Sequence, residues 1–258
     1  MRVVSLASGS GGNAYCVEAS GGEVLLIDCG LCNKDLSSRC RAAGIDPARI
    51  ASVVFTHNHI DHVKGADVFH RRHPDATLYA NLMTADAIAS VLGMDGADFV
   101  AFENGQPFEA GPFEVCAFSI PHDVPDPVGY VVRADGMTYF HATDVGSPLD
   151  SIGIRLAEAD IATLESNHDP VMLHDSQRPE SLKQRIRGPR GHLSNAESAG
   201  LVRRFASPRL KALALAHLSH ECNAPHLAER EMREALAGAG LGGVELKILS
   251  QDEPVAVF

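Results

Sequence analysis

Residues 56–62 read Thr-His-Asn-His-Ile-Asp-His, directly after the apolar run Ser52–Phe55. No other stretch constrains the fold as strongly. A short, continuous apolar run predicts a strand buried in a sheet. Four side chains able to hold a metal, His57, His59, Asp61 and His62, then leave its end together. His57 and His59 are two apart and share a face of an extended segment. Asp61 and His62 follow where the chain turns. Three imidazoles and a carboxylate suit zinc, manganese or iron(II). A single catalytic ion normally takes fewer ligands from one segment and keeps a position open, so this density predicts two ions. The plain alternative is a solvated polar loop.

The rest of the chain has to supply a sheet for that strand. Its 258 residues are 45% apolar and 21% charged, ordinary values for a folded protein. No Pro/Ser linker or repeat divides it, so one domain over 1–258 is expected. Further strands are expected at Arg2–Leu6, Tyr15–Glu18, Glu23–Asp28, Ala76–Tyr79, Phe113–Ile120, Gly129–Arg133 and Met137–Phe140. Later ones fall at Ile161–Leu164, Ala212–Ala216 and Val244–Leu249. Helical stretches are read at Lys34–Ala43, Met83–Leu92, Ser181–Ile186, Asn195–Phe205 and Pro225–Ala237. Ser194 with Glu197 three residues on is a capping box for the Asn195 helix. Strands with interspersed helices predict an α/β protein of two packed sheets with helices outside.

Thirteen histidines are the outstanding feature of the composition, and histidine is the commonest metal ligand. The net charge of −11 and the absence of tryptophan argue against a broad basic footprint for duplex DNA and against aromatic platforms for single strands. The six cysteines are scattered, no apolar run spans a membrane, and the start lacks a signal-peptide core. These features read as cytoplasmic, with reduced thiols and no obligate protein partner. Cys29 and Cys32 form a lone Cys-x-x-Cys, a candidate redox pair.

His-x-His-x-Asp-His after a strand resembles the signature of the metallo-β-lactamase fold hydrolases. Leu25–Gly30 resembles their first motif, with Asp28 structural. Ile120-Pro121-His122, Thr143-Asp144 and Ala216-His217 resemble the later ligand motifs. Ser8–Ala14, Glu165–Asp169 and Gly191–Asn195 narrow the likeness to the YycJ/WalJ-type subfamily, a cousin of the tRNase Z branch. Only 22 residues separate His122 from Asp144, which leaves no room for that branch's projecting arm.

The resemblance implies a four-layer αββα sandwich of two mixed sheets, with a dinuclear site at its edge. It assigns His57, His59 and His122 to one ion, Asp61, His62 and His217 to the other, and Asp144 to both. Asp61, His192 and Glu165 become the catalytic set: His192 protonates the leaving group and Glu165 holds its tautomer. His168, Ser219, Asn223, Arg185 and Arg190 are candidate substrate contacts, the arginines within a local basic run, Lys183–Arg190. Ser219 and Asn223 could equally cap the helix near Pro225. His141 reads as structural. The implied substrate is a phosphodiester, nucleic acid or a nucleotide-like diester, in a DNA-exonuclease-like reaction. A thioester or lactone hydrolase of the glyoxalase II type and a non-catalytic metal-binding scaffold are the alternatives.

Overall fold

The computed structural model describes residues 1–258. In chain order the elements are β1 (Arg2–Ala7), β2 (Ala14–Glu18), β3 (Val24–Ile27), α1 (Asn33–Ala42), β4 (Ile50–Val54), α2 (Ile60–Val63), α3 (Ala66–Arg72), β5 (Thr77–Asn81), α4 (Leu82–Leu92), β6 (Phe99–Phe102), β7 (Pro107–Ala110), β8 (Phe113–Ser119) and β9 (Val128–Ala134). There follow β10 (Met137–Ala142), α5 (Asp150–Leu156), β11 (Ile161–Glu165), α6 (Pro170–Asp175), α7 (Glu180–Ile186), α8 (Asn195–Phe205), β12 (Ala212–Ala216), α9 (Pro225–Gly238), β13 (Glu245–Ile248) and β14 (Val255–Ala256). The strands form two seven-stranded mixed sheets. By contacts the chain divides into two compact units, neither continuous in sequence: Met1–Ser119 with Val124–Gly136 and Ser250–Phe258, and Ile120–Asp123 with Met137–Leu249.

The first unit holds the sheet ordered β14-β1-β2-β3-β4-β5-β6. Its β1, β2 and β3 are antiparallel neighbours, as adjacent strands joined by short turns can be. From β3 to β6 the pairs are parallel, and each needs a crossover, supplied in turn by α1, by α2 with α3, and by α4. Leu36 and Cys40 of α1, Val63 of α2 and Phe69 of α3 share one apolar cluster with Leu26, Val53 and Leu78 of the sheet. Each fully buried Leu, Val or Phe there contributes about 1.5–3 kcal/mol. The antiparallel strands β7, β8 and β9 also belong to this unit. Phe108 of β7 stacks on Tyr79 and Phe102, and the Tyr130 hydroxyl of β9 donates to the Phe55 carbonyl.

The second unit is built on four parallel strands, β10-β11-β12-β13. Helix α5 crosses from β10 to β11, α6 to α8 from β11 to β12, and α9 from β12 to β13. Strand β12, Ala-Leu-Ala-Leu-Ala, is buried throughout, the unalternating pattern of a parallel strand covered on both faces. Helix α8 starts at the expected residue: Ser194 accepts from the Glu197 N–H, and the Glu197 carboxylate accepts from the Ser194 N–H.

Candidate metal centre

Asp28 and the histidine motif in the first unit, and Asp144, Glu165 and His217 in the second, lie at or beyond the carboxyl ends of parallel strands, the usual place for a site in α/β sheets. Three of them, Asp28, Asp144 and His217, adopt left-handed backbone with φ of 60°, 59° and 57°. A strand that ends this way turns its next side chain out of the pleat. The conformation strains a non-glycine residue, though Asp and His tolerate it better than most.

In the first unit the motif loop leaves β4 and enters α2. The loop Asp28–Gly30 lies against it: the Asn13 N–H donates to the Asp61 carbonyl, and the Gly30 N–H to the Asn13 carbonyl. A Cβ on Gly30 would stand 1.7 Å from the Asp61 carbonyl oxygen, so only glycine fits there. Asp28 is fully buried and accepts from the Thr56 N–H and hydroxyl, each at 2.8 Å. Its other contact is His62 Nδ1 at 2.7 Å. A carboxylate only accepts, so Nδ1 carries the proton and Nε2 is the atom His62 can offer a metal. Burial raises the Asp28 carboxyl above its ordinary range, against the opposing pull of His62 and Thr56. His57 Nδ1 is 3.0 Å from the Thr56 hydroxyl oxygen, which already donates to Asp28, so His57 also presents Nε2.

Two nitrogens on one zinc at about 2.0–2.1 Å in a tetrahedron stand about 3.3 Å apart. His57 Nε2 and His59 Nδ1 are 3.1 Å apart, which fits two ligands of one ion. Asn13, which sequence reasoning read only as part of a turn, points its side-chain amide at His62 Nε2 (3.0 Å) and Asp61 Oδ2 (3.3 Å). Its position after a glycine-rich turn was the available signal.

In the second unit Glu165 is a hub. Its Oε1 accepts from His192 Nδ1 at 2.8 Å and from His217 Nδ1 at 3.0 Å. Its Oε2 accepts from the backbone N–H groups of Val145 (2.8 Å) and Leu193 (3.0 Å). Burial disfavours the charge on Glu165, but the neighbouring His192 and the imidazole hydrogen bonds outweigh it and hold the carboxyl well below its usual range. With both oxygens engaged, Glu165 is a positioning residue that acts through two histidines. Its service to His217 was not foreseen. His122 Nδ1 donates to the Gly191 carbonyl at 3.1 Å. His122 and His217 therefore also present Nε2. Asp144 Oδ1 lies 3.8 Å from His122 Nε2 and 3.6 Å from His217 Nδ1. Ligand atoms of Asp144, Glu165, His192 and His217 all fall within 4.8 Å of one another. The donor set and the pinning of Nδ1 on His57, His62, His122 and His217 fit a divalent metal.

The remaining expectations divide. Asn223 is held by the backbone around it. Its amide donates to the Ser166 and Asn167 carbonyls, and its oxygen accepts from the Ala224 N–H at the start of α9. Both ends of the amide therefore hold the fold. The Ser219 hydroxyl accepts from the Cys222 N–H. His168 is buried, which lowers its ring's affinity for a proton. The basic run is largely engaged: Arg185 pairs with Asp123, Arg187 with Glu180, and Lys183 donates to the His174 carbonyl. Arg190 is exposed. His141 is buried beside the Tyr139 hydroxyl at 3.1 Å. All six cysteines are free; burial pushes the Cys29 thiol far up, which makes it a poor redox partner for exposed Cys32.

Residues 24–217 match the family described as the β-lactamase superfamily domain. The chain belongs to this family, and its fold is the metallo-β-lactamase fold expected from the sequence. It is 35% identical over 247 residues to Exodeoxyribonuclease WalJ of Streptococcus pneumoniae, covering 94% of this chain and 91% of that one. It is 31% identical over 251 residues to Exodeoxyribonuclease YycJ of Bacillus anthracis, covering 96% and 94%. Among solved structures, zinc-bound PqqB of Methylobacterium extorquens superposes with a TM-score of 0.73 at 18% identity over 99% of each chain.

Proposed function

We propose that this protein is a metal-dependent phosphodiesterase that acts on DNA. The observation that carries the reading is the 35% identity, over 94% of the chain, to a protein named as an exodeoxyribonuclease. The donor sets within each unit support it. On this reading His57, His59 and His122 hold one divalent ion, Asp61, His62 and His217 a second, and Asp144 serves both. Zinc, manganese and iron(II) all suit imidazole with carboxylate. A cytoplasmic setting, in keeping with six free thiols, is part of the proposal. No helix is long and apolar enough to cross a membrane.

Bound ions supply Lewis acidity to the phosphoryl oxygens and activation of the attacking water. The chain's own groups do the rest. Thr56, Asp28, Gly191 and Glu165 fix the tautomers of His57, His62, His122 and His217, so that each Nε2 is preset. His192, its Nδ1 held by Glu165, gives the proton on Nε2 to the departing oxygen. An alkoxide needs that proton and a thiolate does not. The His192–Glu165 pair therefore favours a phosphodiester over a thioester of the glyoxalase II type.

The test is hydrolysis of bis(p-nitrophenyl) phosphate by the metal-loaded protein and by Asp61→Ala. Asp61 is partly exposed, and its carboxylate faces the polar groups of Asn13 at 3.3 Å and His62 at 3.6 Å, outside the apolar core, so its loss is expected to disturb the fold little. Turnover is expected to fall by at least ~10³-fold. The metal-free melting temperature is expected to stay within about 3 °C of wild type. Substantial residual turnover overturns the assignment of Asp61.

A further inference from the structure

A groove of about 460 Å³ runs between α1 and α3 in the first unit. One wall is a single face of α1, Asn33, Ser37 and Arg41, spaced four apart. The facing wall is Gly65, just before α3, with Val68 and Arg72 along it, and Cys32, Lys34 and Lys64 complete the lining. None of its lining side chains is acidic, although the chain carries 33 Asp and Glu against 22 Lys and Arg. The carboxylates borne by the same two helices do not line it: Asp35 accepts from the thiol of Cys32, at the groove's rim, at 3.1 Å, and Asp67 pairs with Arg71 at 2.7 Å. Lys64 donates to the Gly11 carbonyl. Lys34, Arg41 and Arg72 pair with no carboxylate. Uncompensated cations converge on one cavity in an acidic protein, which is the electrostatic footprint of a polyanion site.

The placement says which polyanion. Lys64 follows His62 by two residues, so the groove begins beside the histidine motif. Lys34 and Arg41 are seven residues apart on α1, about 10 Å along its axis, far enough to meet more than one phosphate of a strand. No aromatic side chain lines the groove, so bases have nothing to stack on and recognition falls to the backbone.

We propose that the α1–α3 groove binds the phosphate backbone of a DNA strand beyond the scissile diester, independently of sequence; the proposal rests on the nuclease reading above. The probe is a fluorescein-labelled phosphorothioate DNA oligonucleotide, which keeps the backbone charge and resists cleavage, read by anisotropy against salt with the metal-loaded protein. Arg41→Ala with Arg72→Ala is expected to weaken binding about 10–100-fold. The log–log salt slope is expected to drop by about 1.4 for a single strand. Turnover of bis(p-nitrophenyl) phosphate, which has no backbone to hold, stays at wild-type level. Arg203→Ala with Arg230→Ala removes the same charge from α8 and α9 and leaves affinity and slope unchanged.

Wild-type affinity and slope in the groove variant, or an equal loss in the control pair, overturns the proposal. So does displacement of the oligonucleotide by inorganic phosphate or a mononucleotide with no dependence on strand length, which marks a small-anion pocket. Groove-dependent binding without cleavage of unmodified DNA leaves the groove standing and removes the nuclease reading. Cleavage of unmodified DNA with groove-independent binding does the reverse.

Discussion

Glu165→Gln lowers the apparent melting temperature by on the order of 10 °C and reduces phosphodiester turnover by about 100-fold or more. The size follows from the hub. A carboxylate meets four donors, two imidazole Nδ1–H groups on one oxygen and two backbone N–H groups on the other. An amide has one oxygen, so its NH₂ must face two donors whichever way it turns. Leaving buried donors opposed costs about 3–5 kcal/mol. The same variant flattens the acid limb of stability. The Glu165 carboxyl is held below its ordinary value, so it contributes stability that is present above about pH 4.3 and lost as pH falls through the folded value. Glutamine has no such dependence. Thermal unfolding against pH, with and without metal, reads both effects. A melting temperature within a degree or two of wild type contradicts the hub.

His192→Ala keeps full metal content and slows DNA and other diesters with alkoxide leaving groups by about 10²–10⁴-fold. It slows p-nitrophenyl esters far less, because nitrophenolate departs without a proton. His192 Nδ1 is held by Glu165 at 2.8 Å, while the ring stands 5.3 Å from that of His122 and 5.2 Å from that of His217. That proximity makes a ligand role the competing reading. Elemental analysis of the variant beside paired kinetics separates the two. Loss of metal, or an equal loss on both substrates, contradicts the acid role.

The residues that announce themselves in the sequence are those whose chemistry is local. His57 to His62 stand within one loop, and the start of α8 is set by a capping box that spans three residues. Strands β6 and β7, four residues each, and helices α5 and α6, of seven and six, are too short to impose a period and were not expected. Tertiary partnerships were equally hidden. Nothing in a glycine-rich turn says that Asn13 reaches His62, and nothing in a strand-end glutamate says that it holds two imidazoles. The visible basic run, Lys183–Arg190, is largely tied to Asp123, Glu180 and a backbone carbonyl. The groove whose cations lack carboxylate partners draws Lys34, Arg41, Lys64 and Arg72 from two helices and a loop, and no window of sequence contains it.

If this chain cuts DNA with bound metal, nuclease activity follows metal loading. The most direct test is a titration of metal-free protein with manganese(II) or zinc(II), following nucleotide release from an end-labelled DNA. Release is expected to be absent without metal and to rise to a plateau near two equivalents per chain. Cleavage that persists in metal-free protein, or none at any loading with either metal, contradicts the account.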